Sequence, residues 1–299
     1  MPANAAVSTG DAFTTRDRFQ RSKACPADST SPTAAVTNTA KARPMLIQTA
    51  DLAGPYGIGF AIARMLAEEG CRLHLVARSA SDLEAARQRL REHADVDVQV
   101  HPMDLAQRGR VEELSARCTD VDILVNNAGS IPRGSIEEID EDTWRQAWDL
   151  KVFGYINMCR AYFRMMKARG SGVIVNILGN GGERLDAGYI AGGAGNASLM
   201  AFTRALGGNS AEVGVRVVGV NPGPVATERL VALMQKEART RLGDAGRWQE
   251  LGASFPFGRP ATVDEIAATV VLLASDRSSY TTGTIVTIDG GMANRGSLI

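Results

Sequence analysis

Met45-Leu46-Ile47-Gln48-Thr49, followed by Gly57-Ile58-Gly59-Phe60-Ala61-Ile62-Ala63 and then Arg72-Leu73-His74-Leu75-Val76, is the stretch that decides the fold. The first and last runs are short and aliphatic, as buried strands are. The middle run opens on glycines and continues as a helix over Ile58 to Glu69. A strand, a glycine-bearing turn, a helix and a second strand make one parallel unit, which a single sheet can repeat.

The rest of the chain repeats it. Further strands are expected at Val96 to His101, Asp122 to Asn126, Gly172 to Ile177, Val215 to Val220 and Thr284 to Asp289. Helices are expected at Ser81 to Glu92, Asp142 to Ala168 and Ala197 to Glu212. The fold class is therefore α/β, a Rossmann-like doubly wound parallel sheet of seven strands in a single domain over residues 45–299. Residues 1–44 are rich in Ala, Thr, Ser and Pro and nearly lack bulky aliphatics, so they read as a disordered N-terminal extension. Its Arg16, Arg18, Arg21 and Lys23 alternate with Asp11, Asp17 and Asp28, unlike the acid-poor pattern of a transit peptide. Met45 also fits as the start of the functional chain.

Composition narrows the function. The 299 residues carry 33 basic and 33 acidic side chains, a balance that favours neither nucleic acid nor an anionic membrane as partner. No run of 18 apolar residues is present to span a bilayer. Cys25, Cys71, Cys118 and Cys159 show no paired spacing, and His74, His93 and His101 are too scattered to predict a metal site. A reducing cytoplasmic location and a small-molecule substrate are the expectations.

The glycine turn sits where a dinucleotide needs it. Gly54, Gly57 and Gly59 let the backbone approach a pyrophosphate, and the amides of Ile58 and its neighbours point at it. A glycine turn with no ligand is the competing reading. At the end of the second strand the chain reads Val76-Ala77-Arg78-Ser79, with no carboxylate to repel a 2′-phosphate and with Arg78 able to pair with one. NADP is the expected cofactor, with NAD the alternative, and an exposed Arg78 opening a loop is the plainer reading.

Several spaced motifs then resemble the short-chain dehydrogenase/reductase family, over nearly everything from Ile58 to Met292. They are Asp104-Leu105, Asn126-Asn127-Ala128-Gly129, Asn221-Pro222-Gly223-Pro224-Val225-Ala226-Thr227, and the run from Gly258-Arg259-Pro260 through Asp289-Gly290-Gly291. The family's turn also carries a Thr-Gly pair, whose places are Leu52 and Ala53 unless the loop has grown and Thr49 is the Thr. The resemblance implies that Asp104 and Leu105 hold the adenine and that Asn127, Ala128 and Gly129 lie against the cofactor. It assigns Pro222, Gly223, Val225 and Thr227 to the nicotinamide loop, with Thr227 on the carboxamide.

The family's chemistry uses a Tyr, a Lys, a Ser and a helix Asn. Aligned without gaps, those places hold Gly192, Asn196, Gly179 and Lys151. Lys151 and Asn196 look exchanged. Tyr189 stands seven residues before Asn196, a spacing similar to the enoyl-acyl carrier protein reductases. Tyr189, Lys151 and Asn196 are therefore the candidate catalytic residues, with Tyr189 as proton donor and Lys151 lowering a neighbouring pKa. A packing tyrosine and a solvated lysine remain open, because the glycines in Gly188 to Gly195 each cost a helix roughly 1 kcal/mol and favour a loop. Asn180, Glu183, Arg184 and Asp186 are candidates to line a substrate pocket, under an apolar helix carrying Leu230, Leu233 and Met234.

The expected function is NADP-dependent hydride transfer to or from a carbonyl or an activated double bond of a small organic molecule. A catalytically silent dinucleotide-binding partner or sensor, and a non-redox lyase or isomerase on the same fold, are the alternatives. The resemblance also implies a homo-oligomer, dimer or tetramer, packed through the helices Asp142 to Ala168 and Ala197 to Glu212.

Overall fold

A computed structural model describes residues 43–49, 57–129 and 131–295. Residues 1–42, most of the expected extension, lie outside the described residues, as does Gly54. The seven expected strands form one parallel sheet in the order β3-β2-β1-β4-β5-β6-β7. They are β1 (Pro44–Gln48), β2 (Arg72–Ala77), β3 (Val98–Pro102), β4 (Ile123–Asn126), β5 (Gly172–Ile177), β6 (Val215–Pro222) and β7 (Ile285–Ile288). Pro44, assigned by composition to the extension, opens β1 opposite Arg72, and Arg43 pairs with Asp276 at 3.2 Å. A proline is tolerated at the first residue of a strand, so the fold begins before the change in composition.

Among the described residues the helices are α1 (Ile58–Glu68), α2 (Ala80–His93), α3 (Arg110–Arg117), α4 (Glu141–Trp148), α5 (Gly154–Arg169), α6 (Ile190–Ser210), α7 (Glu228–Leu242), α8 (Trp248–Leu251) and α9 (Val263–Ala274). Alternation along the strands divides the core. Met45, Ile47, Leu73 and Leu75 pack with α1, α2 and α9, whereas Leu46, Val76 and Leu124 pack with α3 and α5. Burial on both faces is why the strands read as continuous apolar runs. No helix among the described residues is long and apolar enough to cross a membrane.

Two helices differ from expectation. The long middle helix is broken by a π-helical segment, Asp149–Phe153, that joins α4 to α5 and carries Lys151 at its centre. Such wide turns cost backbone geometry and recur at functional sites. Helix α6 starts at Ile190, seven residues before the expected Ala197, and runs through the glycines that predicted a loop. Tertiary packing overrides propensity there. A Cβ on Gly195 would lie 3.2 Å from Ile131, Trp148 and Val152, so the absent side chain lets α6 close on the π segment. The Trp148 indole N–H donates to the Ala191 carbonyl at 3.0 Å, tying the two together.

Three of the His and Cys residues that are scattered along the chain are brought together in three dimensions. His74, His101 and Cys118 meet beside the edge strand β3, with their ligand atoms within 4.8 Å of one another. Strand pairing brings the two histidines to one face, and the end of α3 brings the cysteine.

Candidate active site

The order of the sheet reverses between β1 and β4, and in open α/β sheets ligands bind at the carboxyl ends of the strands beside that point. There the protein has a pocket of about 380 Å³ lined by Gln48, Thr49, Val76, Ala77, Arg78, Ser79, Asp82, Met103, Leu105, Ala128 and Leu150. Of the sequence-predicted cofactor residues, Arg78, Leu105 and Ala128 line it. Asp104 stands beside it, with its carboxylate accepting from the Ala106 amide at 3.1 Å. Gly57 is the N-cap of α1 and offers no side chain to the amides of Ile58 and Gly59 in the first turn, which suits that helix end to an anion.

Thr49 packs against this turn. A Cβ on Gly59 would overlap the Thr49 side chain, and Asn127 Nδ2 donates to Thr49 Oγ1 at 3.1 Å. Glycine at 59 is thus required by close approach.

Gln48 is a pocket residue that the sequence did not single out. Both polar atoms of its amide are buried and have no hydrogen-bond partner among the described residues. A buried polar group left unpaired costs roughly 1–3 kcal/mol, which suits this wall to a polar ligand. A polar side chain ending the first strand was the available signal. Asp82 was missed as well. Its amide donates to Ser79 Oγ at 3.2 Å, making Ser79 the N-cap of α2 while Arg78 stays exposed.

At the other end of the crevice, Pro222 closes β6 and Gly223 approaches Asp289 so closely that a Cβ would lie 2.7 Å from the aspartate's Cβ. Val225 bridges to Ala261. Thr227 is the N-cap of α7, accepting from the Leu230 amide at 3.3 Å, so its oxygen is engaged while its hydroxyl proton remains a donor. The Asp289 carboxylate accepts from the amides of Gly291, Met292 and Ala293, which fixes the loop beneath.

The three candidate catalytic residues converge on the segment 178–181 after β5. Lys151 is buried, and its ammonium donates to the Leu178 carbonyl at 2.8 Å. Its stem runs along Gly129, where a Cβ would lie 2.6 Å from Lys151 Cβ, which explains the glycine ending that motif. Asn196, 2% exposed, places Nδ2 2.9 Å from where a Cβ on Gly179 would stand. The side-chain amide thus fills the space above Gly179, and its Oδ1 is buried with no hydrogen-bond partner among the described residues. A solvated lysine is excluded, because the ammonium is tucked under the strand end.

Tyr189 precedes α6 as its N-cap, and its ring folds back over the helix. A Cβ on Gly192 would overlap the ring at Cζ, Cε1 and Cε2, and one on Gly181 would lie 3.1 Å from Cδ1 and Cε1. The tyrosine therefore occupies the side-chain space of the residue three positions later. Burial raises the phenol's pKa above its ordinary value, against the lowering effect of Arg229 and Arg133. The Arg133 guanidinium stands 5.6 Å from the ring centroid and also pairs with Asp186.

The loop candidates are mostly committed to the scaffold. Glu183 accepts from Thr287 Oγ1 at 3.0 Å, Asp186 is held by Arg133, Asn180 Nδ2 lies 3.9 Å from the Met292 sulfur, and Arg184 is exposed. On α7, Met234 is buried and Leu233 is exposed. A buried line from Asn126 Nδ2 to Asn176 Oδ1 at 2.9 Å, and from Asn176 Nδ2 to Thr203 Oγ1 at 3.0 Å, fastens α6 to the strand ends.

This geometry has counterparts. The family model described as Enoyl-(Acyl carrier protein) reductase matches residues 52–293. The chain belongs to the short-chain dehydrogenase/reductase family. It is 31% identical over 245 residues to the 3-oxoacyl-(acyl-carrier-protein) reductase FabG of Chlamydia trachomatis serovar D, covering 80% of this chain and 94% of that protein. It is 35% identical over 237 residues to the galactitol 2-dehydrogenase (L-tagatose-forming) of Cereibacter sphaeroides, covering 79% and 90%. Among solved structures, L-sorbose reductase from Gluconobacter frateurii, complexed with NADPH and L-sorbose, is similar with a TM-score of 0.79 at 28% identity, over 86% of this chain and 98% of that one. The short-chain dehydrogenase/reductase family is one of nicotinamide-dependent oxidoreductases, and this member carries glycine at two of the positions where the resemblance places Tyr and Ser.

Proposed function

We propose that this protein is an NADP-dependent reductase of a small ketone, with Tyr189 as the proton donor. The observation that carries this reading is the Tyr189 ring lying in the side-chain space that Gly192 leaves empty. Gln48's unpartnered amide, the α1 N-terminus and Arg78 beside the pocket fit the adenosine and phosphate groups of a dinucleotide. When bound, the nicotinamide supplies the hydride. The phenol of Tyr189 gives its proton to the ketone oxygen, and its raised pKa keeps that proton in place at neutral pH. Lys151, fixed on the Leu178 carbonyl, puts positive charge next to Gly179, and Asn196 Nδ2 adds donors at the same strand end. Support for a ketone over an enoyl group comes from the named relatives, a 3-oxoacyl reductase and a galactitol dehydrogenase.

A second reading, cofactor binding without turnover, is favoured by the Asn196 amide, which occupies the space that a residue-179 hydroxyl would use. One experiment separates them. NADPH oxidation is followed with 3-oxoacyl thioesters, ketoses, cyclic ketones and enoyl thioesters, on wild type and Tyr189→Phe. Ketone-dependent oxidation that drops at least about 100-fold in the variant supports the reductase. Tight NADPH binding with no oxidation supports the silent reading, and unchanged turnover in Tyr189→Phe removes Tyr189 from the chemistry.

A further inference from the structure

We propose that His74, His101 and Cys118, none of which lines the dinucleotide pocket, form a Zn²⁺ site independent of the reductase reading. His74 Nδ1 and His101 Nε2 are 3.0 Å apart, and the Cys118 sulfur lies 3.5 Å from each. Tetrahedral Zn²⁺ with Zn–N of about 2.05 Å and Zn–S of about 2.3 Å separates two nitrogens by about 3.3 Å and a nitrogen from a sulfur by about 3.6 Å. The triangle already present needs only a few tenths of an ångström of adjustment.

The two ring nitrogens share a single proton between them, and with His101 Nε2 as its carrier His74 Nε2–H faces the Asp120 carboxylate, 3.9 Å away. The same His74 tautomer leaves Nδ1 free to ligate a cation that takes the place of the shared proton. Each ring then gives one lone pair to the metal, His74 Nε2–H faces Asp120, and Cys118 binds as thiolate. Asp120 is steadied by Arg72 at 3.1 Å, the arrangement in which a carboxylate orients a metal-bound histidine.

Zinc binding to Cys118 as thiolate displaces the sulfur's proton to solvent. The Tyr162 hydroxyl, buried in the same cluster as Cys118, has no hydrogen-bond partner among the described residues. His101 is only half-buried and lies on the edge strand, which gives the ion a way in.

The test uses the full chain, stripped with chelator and dialysed. Zn²⁺ is titrated against a chromogenic competitor, and Co²⁺ serves as the spectroscopic probe. About one Zn²⁺ per chain is expected, with a thiolate-to-cobalt charge-transfer band and tetrahedral d–d bands. Cys118→Ser loses the charge-transfer band, His101→Gln weakens Zn²⁺ binding at least about 10-fold, and Asp120→Asn weakens it about 10-fold. His93→Gln, at the end of α2, is the control and binds as wild type. Circular dichroism establishes that each variant is folded. Because His101 is half-exposed, its substitution keeps the test valid if Cys118→Ser does not fold. Absence of Zn²⁺ binding in folded wild type overturns the proposal, and so does binding that survives His101→Gln undiminished.

Discussion

Gly192→Ala tests the seat of Tyr189 without touching the phenol. An alanine Cβ at 192 would overlap three ring carbons of Tyr189, far inside the roughly 3.5–4.0 Å at which carbon atoms rest. The ring must leave its seat, because the helix backbone at 192 is held by the packing of α6 against Trp148 and Val152. Two contributions set the stability change. Alanine favours the helix by roughly 1 kcal/mol over glycine, whereas overpacking costs typically about 1–3 kcal/mol. The net is a loss of about 0–2 kcal/mol, a fall in Tm of up to roughly 8 °C for a domain of this size. Catalysis changes far more. If the seated phenol is the proton donor, Gly192→Ala and Tyr189→Phe each lower ketone-dependent kcat about 100-fold or more, and the double variant is no worse than either, because both remove the same group. Steady-state NADPH oxidation and a thermal melt measure both quantities. Turnover of Gly192→Ala within about threefold of wild type, with Tm unchanged, would refute the reasoning, since the ring would then have no need of its seat.

Three further outcomes are expected. The raised pKa of Tyr189 keeps the phenol protonated through neutral pH, so reduction is flat there and declines only as pH rises through that pKa; alcohol oxidation, which needs the phenolate, climbs with pH, and a pH–rate profile in both directions checks the sign. Arg78→Glu lowers kcat/KM for NADPH about 10–100-fold and leaves NADH little affected, the size of a lost charge-assisted hydrogen bond; equal losses for both cofactors would show that Arg78 does not read the 2′-phosphate. Phe153, 51% exposed where the π segment meets α5, belongs to the helix expected to pack on a second copy, so Phe153→Asp shifts the sedimentation coefficient toward the monomer.

Much of the architecture was legible. The central strands were short aliphatic runs between helical stretches, because burial on both faces favours apolar residues at most of their positions. Gly59 and Gly129 sit where close approach of Thr49 and Lys151 admits few residue types. Gln48 was not legible, since an amide at a strand end is common and only its lack of a partner distinguishes it. The start of α6 was misread because helix propensity is a local quantity. The contacts that reverse it come from Ile131, Trp148 and Val152, distant in sequence.

The sequence by itself determined a seven-stranded parallel sheet, because hydrophobic periodicity encodes strands and helices directly. The resemblance to the family, not periodicity, marked the four positions where its pattern is replaced. Only the tertiary structure decided where the replacements go. It lays the Tyr189 ring over Gly192, threads Lys151 along Gly129 to the Leu178 carbonyl, and sets Asn196 above Gly179. It also gathers His74, His101 and Cys118 from two strands and a helix end. These are meetings between side chains far apart in the chain, set by strand register, a π-helical turn and the depth to which glycine lets one helix approach another, and no local pattern of residues records them.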